Sequence, residues 1–313
     1  MYSVGIDIGG MSVKVGLVDN SGKIVKQSRV KTESTPELVV SNIIKQIKDL
    51  CIDCSIKESD LLGIGIGCPG AVTGDTGEVA FLPNLGWENV PLADMLKEHF
   101  DCPIKISNDA NVAALAEVLY GCAKNYNSAI MFTLGTGVGG GIIIDKKLYE
   151  GAYSRGAELG HATLILGGEK CTCGRSGCIE CYTSATALIK QTKAAMEKDK
   201  KSKMWSYVNG SIDNVDGRTA FECSKLGDAT AIAVVDQYIC YLGESILNML
   251  NIFRPEAFIL GGGISAQGDY LVQKLIDYCE KFDYGYRAAP KTDILIATLG
   301  NDAGIIGAAA LIK

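Results

Sequence analysis

Two carboxylates flank a cluster of soft metal ligands in this chain: Glu158-Leu-Gly-His161 is followed by Cys171-Thr-Cys173-Gly-Arg-Ser-Gly-Cys178-Ile-Glu180. The chain has 2 His and 12 Cys, and this stretch takes one His and three Cys. Imidazole and thiolate are the ligands that tetrahedral zinc prefers, and Cys3His is a common structural set. Gly174 and Gly177 let the backbone wrap tightly between ligands. Buried cysteines can cluster by chance. Here the Cys-x-Cys-x4-Cys spacing, with glycines between and a His upstream, predicts zinc on His161, Cys171, Cys173 and Cys178. Cys181 is a spare ligand or a bystander. Four protein ligands leave no open position for water, so the site reads as structural. A closed loop would fix where Glu158 and Glu180 point, and two anchored carboxylates are good acceptors for several hydroxyls. That chemistry points to a polyol or sugar; the plainer alternative is two solvated surface glutamates.

Two glycine-rich tips offer a second chemistry. Asp7-Ile-Gly9-Gly10-Met-Ser12-Val-Lys14 and Leu134-Gly135-Thr136-Gly137-Val-Gly-Gly-Gly141 each join two strand-like runs. Backbone N–H groups at such tips form anion nests, and one nest per half could hold a polyphosphate. The second tip also matches the dinucleotide fingerprint, but that motif needs a helix at its third glycine. The residues after Gly141 are Ile-Ile-Ile144, which read as strand, so a nicotinamide enzyme is disfavoured. Phosphoryl transfer needs phosphate donors, a place for Mg²⁺ and a base for the attacking hydroxyl. Asp7, at a strand end, suits Mg²⁺ that keeps most of its waters, and it is equally a turn Asp. Asn108-Asp109-Ala-Asn111 opens a helix directly after a strand. Asp109 could take the proton of a sugar hydroxyl that Asn108 orients, although the same pair is also what a helix cap looks like.

The elements that must hold these residues follow from periodicity. Strands are expected at 4–8, 13–18, 24–30, 62–67, 104–106, 128–133, 142–144, 257–260 and 294–297. Helices are expected at about 35–50, 92–100, 109–120, 185–200, 229–250, 269–282 and 304–311. In the first helix Leu38, Val39, Ile43, Ile44 and Ile47 should share a face. The stretch from Gly70 to about Pro91 reads as turn-rich, and 201–228 as loop and short helix. With 313 residues, 47% hydrophobic and 21% charged, the chain is long enough for two domains with real cores. A formal net charge of −6 argues against a nucleic-acid surface. No apolar run is long enough to span a bilayer, and Met1-Tyr-Ser-Val-Gly carries no basic head of a secretory signal. Cysteines without framework spacing fit a reducing cytosol.

Taken in order, these motifs resemble the ROK family of sugar kinases and sugar-responsive repressors, within the actin-like and hexokinase-like ATPase superfamily. The resemblance runs nearly end to end, through Gly261-Gly262-Gly263 and Gly300-Asn-Asp-Ala-Gly-Ile-Ile-Gly307. It implies a two-lobed α/β actin-like ATPase (ribonuclease H-like) fold, with duplicated mixed β-sheet domains around a cleft. One lobe would hold residues 1–117 plus about 300–313, and the other 118–299 with the zinc loop. Asp109 would be the base for the sugar 6-hydroxyl. Asn84, Asn108, Glu158, His161 and Glu180 would bind other hydroxyls. Gly9, Gly10, Gly135, Thr136 and Gly137 would hold the ATP phosphates, and Gly261 and Gly262 would lie near the nucleoside. The family usually has Thr after Asp-x-Gly-Gly, where this chain has Met11; a thioether cannot donate a hydrogen bond, so Ser12, Lys14 or the tip amides are expected to supply that contact. Pro83-Asn84-Leu-Gly-Trp87 is similar to the sugar-side loop of bacterial ROK glucokinases. The implied activity is ATP-dependent phosphorylation of a hexose, glucose first, with Mg²⁺ and structural Zn²⁺. N-acetylmannosamine or N-acetylglucosamine kinase comes next and fructokinase after. A repressor would carry a helix-turn-helix domain before the first strand, which here begins at about Tyr2. A cytoplasmic homodimer, with no nucleic-acid or membrane partner, is the expected setting.

Overall fold

A computed structural model describes residues 1–82, 84–285 and 290–313. The chain opens with β1 (Tyr2–Ile8), β2 (Ser12–Asp19), β3 (Ile24–Lys31), α1 (Pro36–Asp53) and β4 (Leu61–Cys68). It continues through β5 (Ala71–Thr73), β6 (Glu78–Leu82), β7 (Trp87–Val90), α2 (Leu92–Lys97), β8 (Ile104–Asn108) and α3 (Asp109–Leu119). Then come β9 (Ala129–Leu134), β10 (Val138–Ile144), β11 (Lys147–Tyr149), α4 (Glu180–Thr183) and α5 (Ala185–Lys198). The remainder is α6 (Met204–Tyr207), α7 (Thr219–Lys225), α8 (Ala229–Phe253), β12 (Ala257–Gly261), α9 (Asp269–Phe282), β13 (Asp293–Ile296) and α10 (Ala303–Ala310).

Two compact units result. The first comprises Met1–Ala129, Gly141–Ala157 and Thr298–Lys313, and the second Ile130–Gly140 and Glu158–Ala297. One sheet has the order β3-β2-β1-β4-β8 and another β11-β10-β9-β12-β13. In both lists three strands consecutive in the chain are followed by two later ones, which is the duplication expected from the repeated glycine tips. In the first sheet β1, β2 and β3 are antiparallel neighbours, while β1, β4 and β8 run parallel.

Alternate apolar side chains build the first core, in a sheet covered on both faces. Val4, Ile6 and Ile8 of β1 and Val13, Val15 and Leu17 of β2 are all buried. Helix α1 starts at Thr35, whose hydroxyl accepts from Leu38 N at 3.4 Å, with Pro36 in the first turn. Val39, Ile43, Ile47 and Leu50 form its buried stripe. Each such side chain is worth about 1.5–3 kcal/mol, against about 1 kcal/mol for the cap, so the face holds this helix more than its end does. Leu38, expected on that face, is 50% exposed, because one position before Val39 the helix has turned it outward. Helix α10 packs directly on β1 and β4: a Cβ on Gly5 would stand 1.9 Å from Ile305 O, and one on Gly65 1.7 Å from Ala308 O.

The stretch read as turn-rich before Pro91 holds a three-stranded antiparallel sheet, β5-β6-β7. Its strands are too short for their alternation to stand out among Gly74, Asp75, Thr76 and Gly77. Pro83 lies outside the described residues. Among the described residues no helix is long and apolar enough to cross a membrane.

Candidate functional site

In the first unit the carboxyl ends of three parallel strands carry the candidate residues. Asp7 pairs in register with Gly67, and Cys68 with Asn108, so β1, β4 and β8 end at one edge of the sheet. Open α/β sheets bind ligands beyond such strand ends. Cys68 reports the charge there: burial pushes its thiol up, and Asp109 and then Asp7 push it further. Asn108 caps α3, its Oδ1 accepting from Ala110 N at 2.9 Å while its Nδ2 donates to Gly70 O at 3.1 Å. Asp109 Oδ1 also accepts from Ala110 N, at 2.9 Å. A carboxylate at a helix N-terminus is favoured as the anion.

At the first glycine tip, Lys14 Nζ donates to Asp7 Oδ2 at 2.9 Å and to Asn301 O at 3.1 Å. Gly9 N donates to Ser12 O at 2.9 Å, and Thr32 Oγ1 donates to Gly9 O at 2.6 Å. The Gly9 amide therefore closes the turn. A side chain at Gly10 would meet open space, and Met11 is 83% exposed. Asn84 lies exposed in the turn between β6 and β7. A single carboxylate at a strand end, its Oδ2 already paired with Lys14, fits Mg²⁺ only as an ion held mainly by water and phosphate.

In the second unit His161, Cys171, Cys173 and Cys178 converge, their ligand atoms all within 4.8 Å of one another. His161 Nδ1 and Cys171 Sγ are 3.7 Å apart, as are Cys173 Sγ and Cys178 Sγ. A tetrahedral zinc with Zn–S of about 2.3 Å requires S···S of about 3.8 Å, so these donors fit that ion in identity and in spacing. Cys181 stands outside the set, its thiol donating to Lys170 O at 3.6 Å. The loop folds this way because Gly177 sits at φ +82 and a Cβ there would lie 1.7 Å from Ile165 O. Cys171 N donates to Arg175 O at 3.0 Å, and Gly177 N to Glu169 O at 2.7 Å. The Cys173 thiol is exposed and held below its ordinary value by the backbone N–H of Arg175, whereas burial pushes Cys178 up to about 12.

The two glutamates lie beside this cluster. Burial raises the Glu158 carboxyl; His161 opposes that shift and Glu180 adds to it. Glu180 Oε2 accepts from Val138 N at 2.9 Å, and Oε1 lies 3.7 Å from Cys171 Sγ. One carboxylate thus touches both the glycine tip and the cysteine loop. Gly135 O accepts from Ala185 N at 2.8 Å, and Thr136 O from Thr186 Oγ1 at 2.8 Å, so the start of α5 also braces this tip. Gly262 packs on the backbone of Leu134, where a Cβ would come within 2.6 Å, bringing the Gly261–Gly262 turn to the same tip. A cavity of ≈ 420 Å³ is lined by Thr136, Gly137, Cys171, Glu180, Ser184 and Lys190 among others. Sequence reading missed Ser184, Thr186 and Thr32. Only Ser184 carried a signal, as a cap before an Ala-rich helix.

The ROK family profile matches residues 3–313. A glucokinase of Halalkalibacterium halodurans is 35% identical over 316 residues, covering 100% of this chain and 95% of the relative. The crystal structure of a ROK family glucokinase from Streptomyces griseus in complex with glucose and AMPPNP matches with a TM-score of 0.81 at 32% identity, covering 99% of each chain. The xylose repressor of Bacillus subtilis is 30% identical over 312 residues, covering 99% of this chain and 77% of the relative. The mixed α/β architecture is the actin-like ATPase fold of the ROK glucokinase structures.

Proposed function

The chain belongs to the ROK family, and we propose that within it the protein is an ATP-dependent glucokinase, moving the terminal phosphoryl group of ATP to the 6-hydroxyl of glucose. The observation that carries this reading is Asp109, at the strand-end edge that also holds Asp7, in a chain similar along its whole length to glucokinases. The 6-oxygen forms the new bond to phosphorus, the bond to the β,γ-bridging oxygen breaks, and Asp109 accepts the hydroxyl proton. A carboxylate stabilised at a helix N-terminus is a weak base. It is adequate if the transition state is loose, because the proton then leaves late.

Asn108 orients that hydroxyl. Asn84, Glu158, His161 and Glu180 take the other hydroxyls of the sugar. Gly10, Ser12, Lys14 and the Gly135–Gly137 tip hold the phosphates, Gly9 shaping the first tip through its turn-closing amide, with Gly261 and Gly262 near the nucleoside. Asp7 would hold Mg²⁺ through its waters, an ion that neutralises charge on the phosphates. His161, Cys171, Cys173 and Cys178 would hold Zn²⁺, which supplies rigidity. The working form in this reading is a cytoplasmic homodimer.

ADP release measured over glucose, mannose, fructose, N-acetylglucosamine and N-acetylmannosamine tests the reading. Strong turnover on glucose with little on the acetamido sugars is expected. The reverse preference would make the protein an N-acetylhexosamine kinase, and no release with any sugar would remove the kinase activity altogether.

A further inference from the structure

The corner between β8 and α3 is pinned on two sides. On one side Asn108 and Asp109 share the Ala110 amide, and Asn108 reaches Gly70 O. On the other, Ser107 just before that pair and Asn111 two residues after it converge on a single oxygen outside the proposed site. Ser107 Oγ donates to Glu150 Oε1 at 2.5 Å, and Asn111 Nδ2 donates to the same atom at 3.4 Å. Successive strand residues point to opposite faces, so Ser107 is placed to hold from behind the corner that Asn108 holds from in front.

Both donors are committed to this contact. Ser107 is 0% exposed and Asn111 5%. Asn111 Oδ1 is buried without a partner among the described residues, and its Nδ2 bond to Glu150 is long at 3.4 Å, so Ser107 at 2.5 Å carries most of the hold. A buried hydroxyl that lost its acceptor would have to move or remain unsatisfied. Glu150 itself is well supported. Its carbonyl accepts from Gly156 N at 2.7 Å, and its side chain lines a cavity of ≈ 890 Å³ that relieves part of the cost of keeping a carboxylate there. Hydrogen bonds to a carboxylate are about twice as strong as neutral ones, so a neutral replacement that keeps the oxygen would hold less firmly but in the same place.

We infer that Glu150 is a positioning residue for phosphoryl transfer: through Ser107 and Asn111 it fixes the strand–helix corner that aims Asp109. This rests on the reading of Asp109 as the base. Placement errors of about 1 Å in such a group can cost on the order of a hundredfold in rate.

The test uses the full chain with Glu150→Ala, Glu150→Gln, Ser107→Ala, Asp109→Asn and the double variant Asp109→Asn with Glu150→Ala. Turnover per active site, KM for glucose and for ATP, glucose affinity by calorimetry and the unfolding temperature are measured. Glu150→Ala should lower kcat about tenfold or more while glucose affinity holds. Glu150→Gln, which retains an acceptor oxygen, should recover most of that loss. Ser107→Ala should give a smaller loss of the same kind, and it tests the idea even if Glu150→Ala does not fold. In the Asp109→Asn background Glu150→Ala should add nothing. A lower unfolding temperature with kcat per active site intact would reduce Glu150 to a structural brace and overturn the inference. An inactive Asp109→Asn beside a Glu150→Ala of normal kcat would overturn this inference alone, whereas a fully active Asp109→Asn would overturn the base reading with it.

Discussion

The backbone N–H of Val138 donates to Glu180 Oε2 at 2.9 Å, and the carboxylate so held stands where a side chain on the residue before it would go. A Cβ on Gly137 would stand 2.3 Å from the same oxygen. The glycine tip and the cysteine loop are therefore fitted to each other through one carboxylate. Gly137→Ala should destabilise the protein by about 1–3 kcal/mol in urea unfolding, because the carboxylate, the movable end of its side chain, would have to swing away and give up its bond to Val138 N. Gly135→Ala, whose Cβ would meet nothing within 4 Å, should stay within about 0.5 kcal/mol. Equal effects would show that the Glu180 contact does not set the requirement at Gly137.

The cysteine loop makes a prediction about metal removal. A bound thiolate is shielded, so alkylation of the loaded protein should spare Cys171, Cys173 and Cys178. After chelation Cys173 should react first, being exposed and held below its ordinary value by the Arg175 amide. Cys178, buried and pushed up to about 12, should lag. Mass spectrometry of labelled peptides reads both outcomes. Equal labelling of Cys173 with and without chelator would argue against a metal at this loop.

What the sequence made legible was chiefly what repeats or clusters. The Cys-x-Cys-x4-Cys spacing, with His161 ten residues upstream, announced the convergence of four ligand atoms because all four lie close together in the chain. The strand after Gly141 was readable from its run of isoleucines, and it is part of β10. Contacts between residues distant in sequence were not readable. Nothing local says that Lys14 reaches Asn301, that Thr32 closes the Gly9 turn, or that Glu150 reaches back to Ser107. The β5-β6-β7 sheet escaped because its strands are short and turn residues crowd between them.

Glu158 supplies a pH dependence. Burial raises its carboxyl above the ordinary 4.5, Glu180 adds to the shift and His161 opposes it. A zinc ion bound by three thiolates carries net negative charge and would act in the same direction as Glu180. A protonated carboxyl is the poorer acceptor. If Glu158 holds glucose hydroxyls, affinity should fall as pH drops, with a midpoint above 4.5. Calorimetric titration of glucose across the mildly acidic range measures this, and Glu158→Gln should abolish the dependence. A dependence that survived in Glu158→Gln would belong to another group.

The most direct test of the account is Asp109→Asn, assayed for turnover and for glucose binding on the same preparation. The substitution keeps the size of the side chain and an oxygen for the Ala110 amide but removes the proton acceptor. Turnover should fall by about 10²–10⁴-fold, the range general-base catalysis supplies, with glucose still bound. Turnover close to that of the unaltered protein would contradict the assignment of Asp109 as the base.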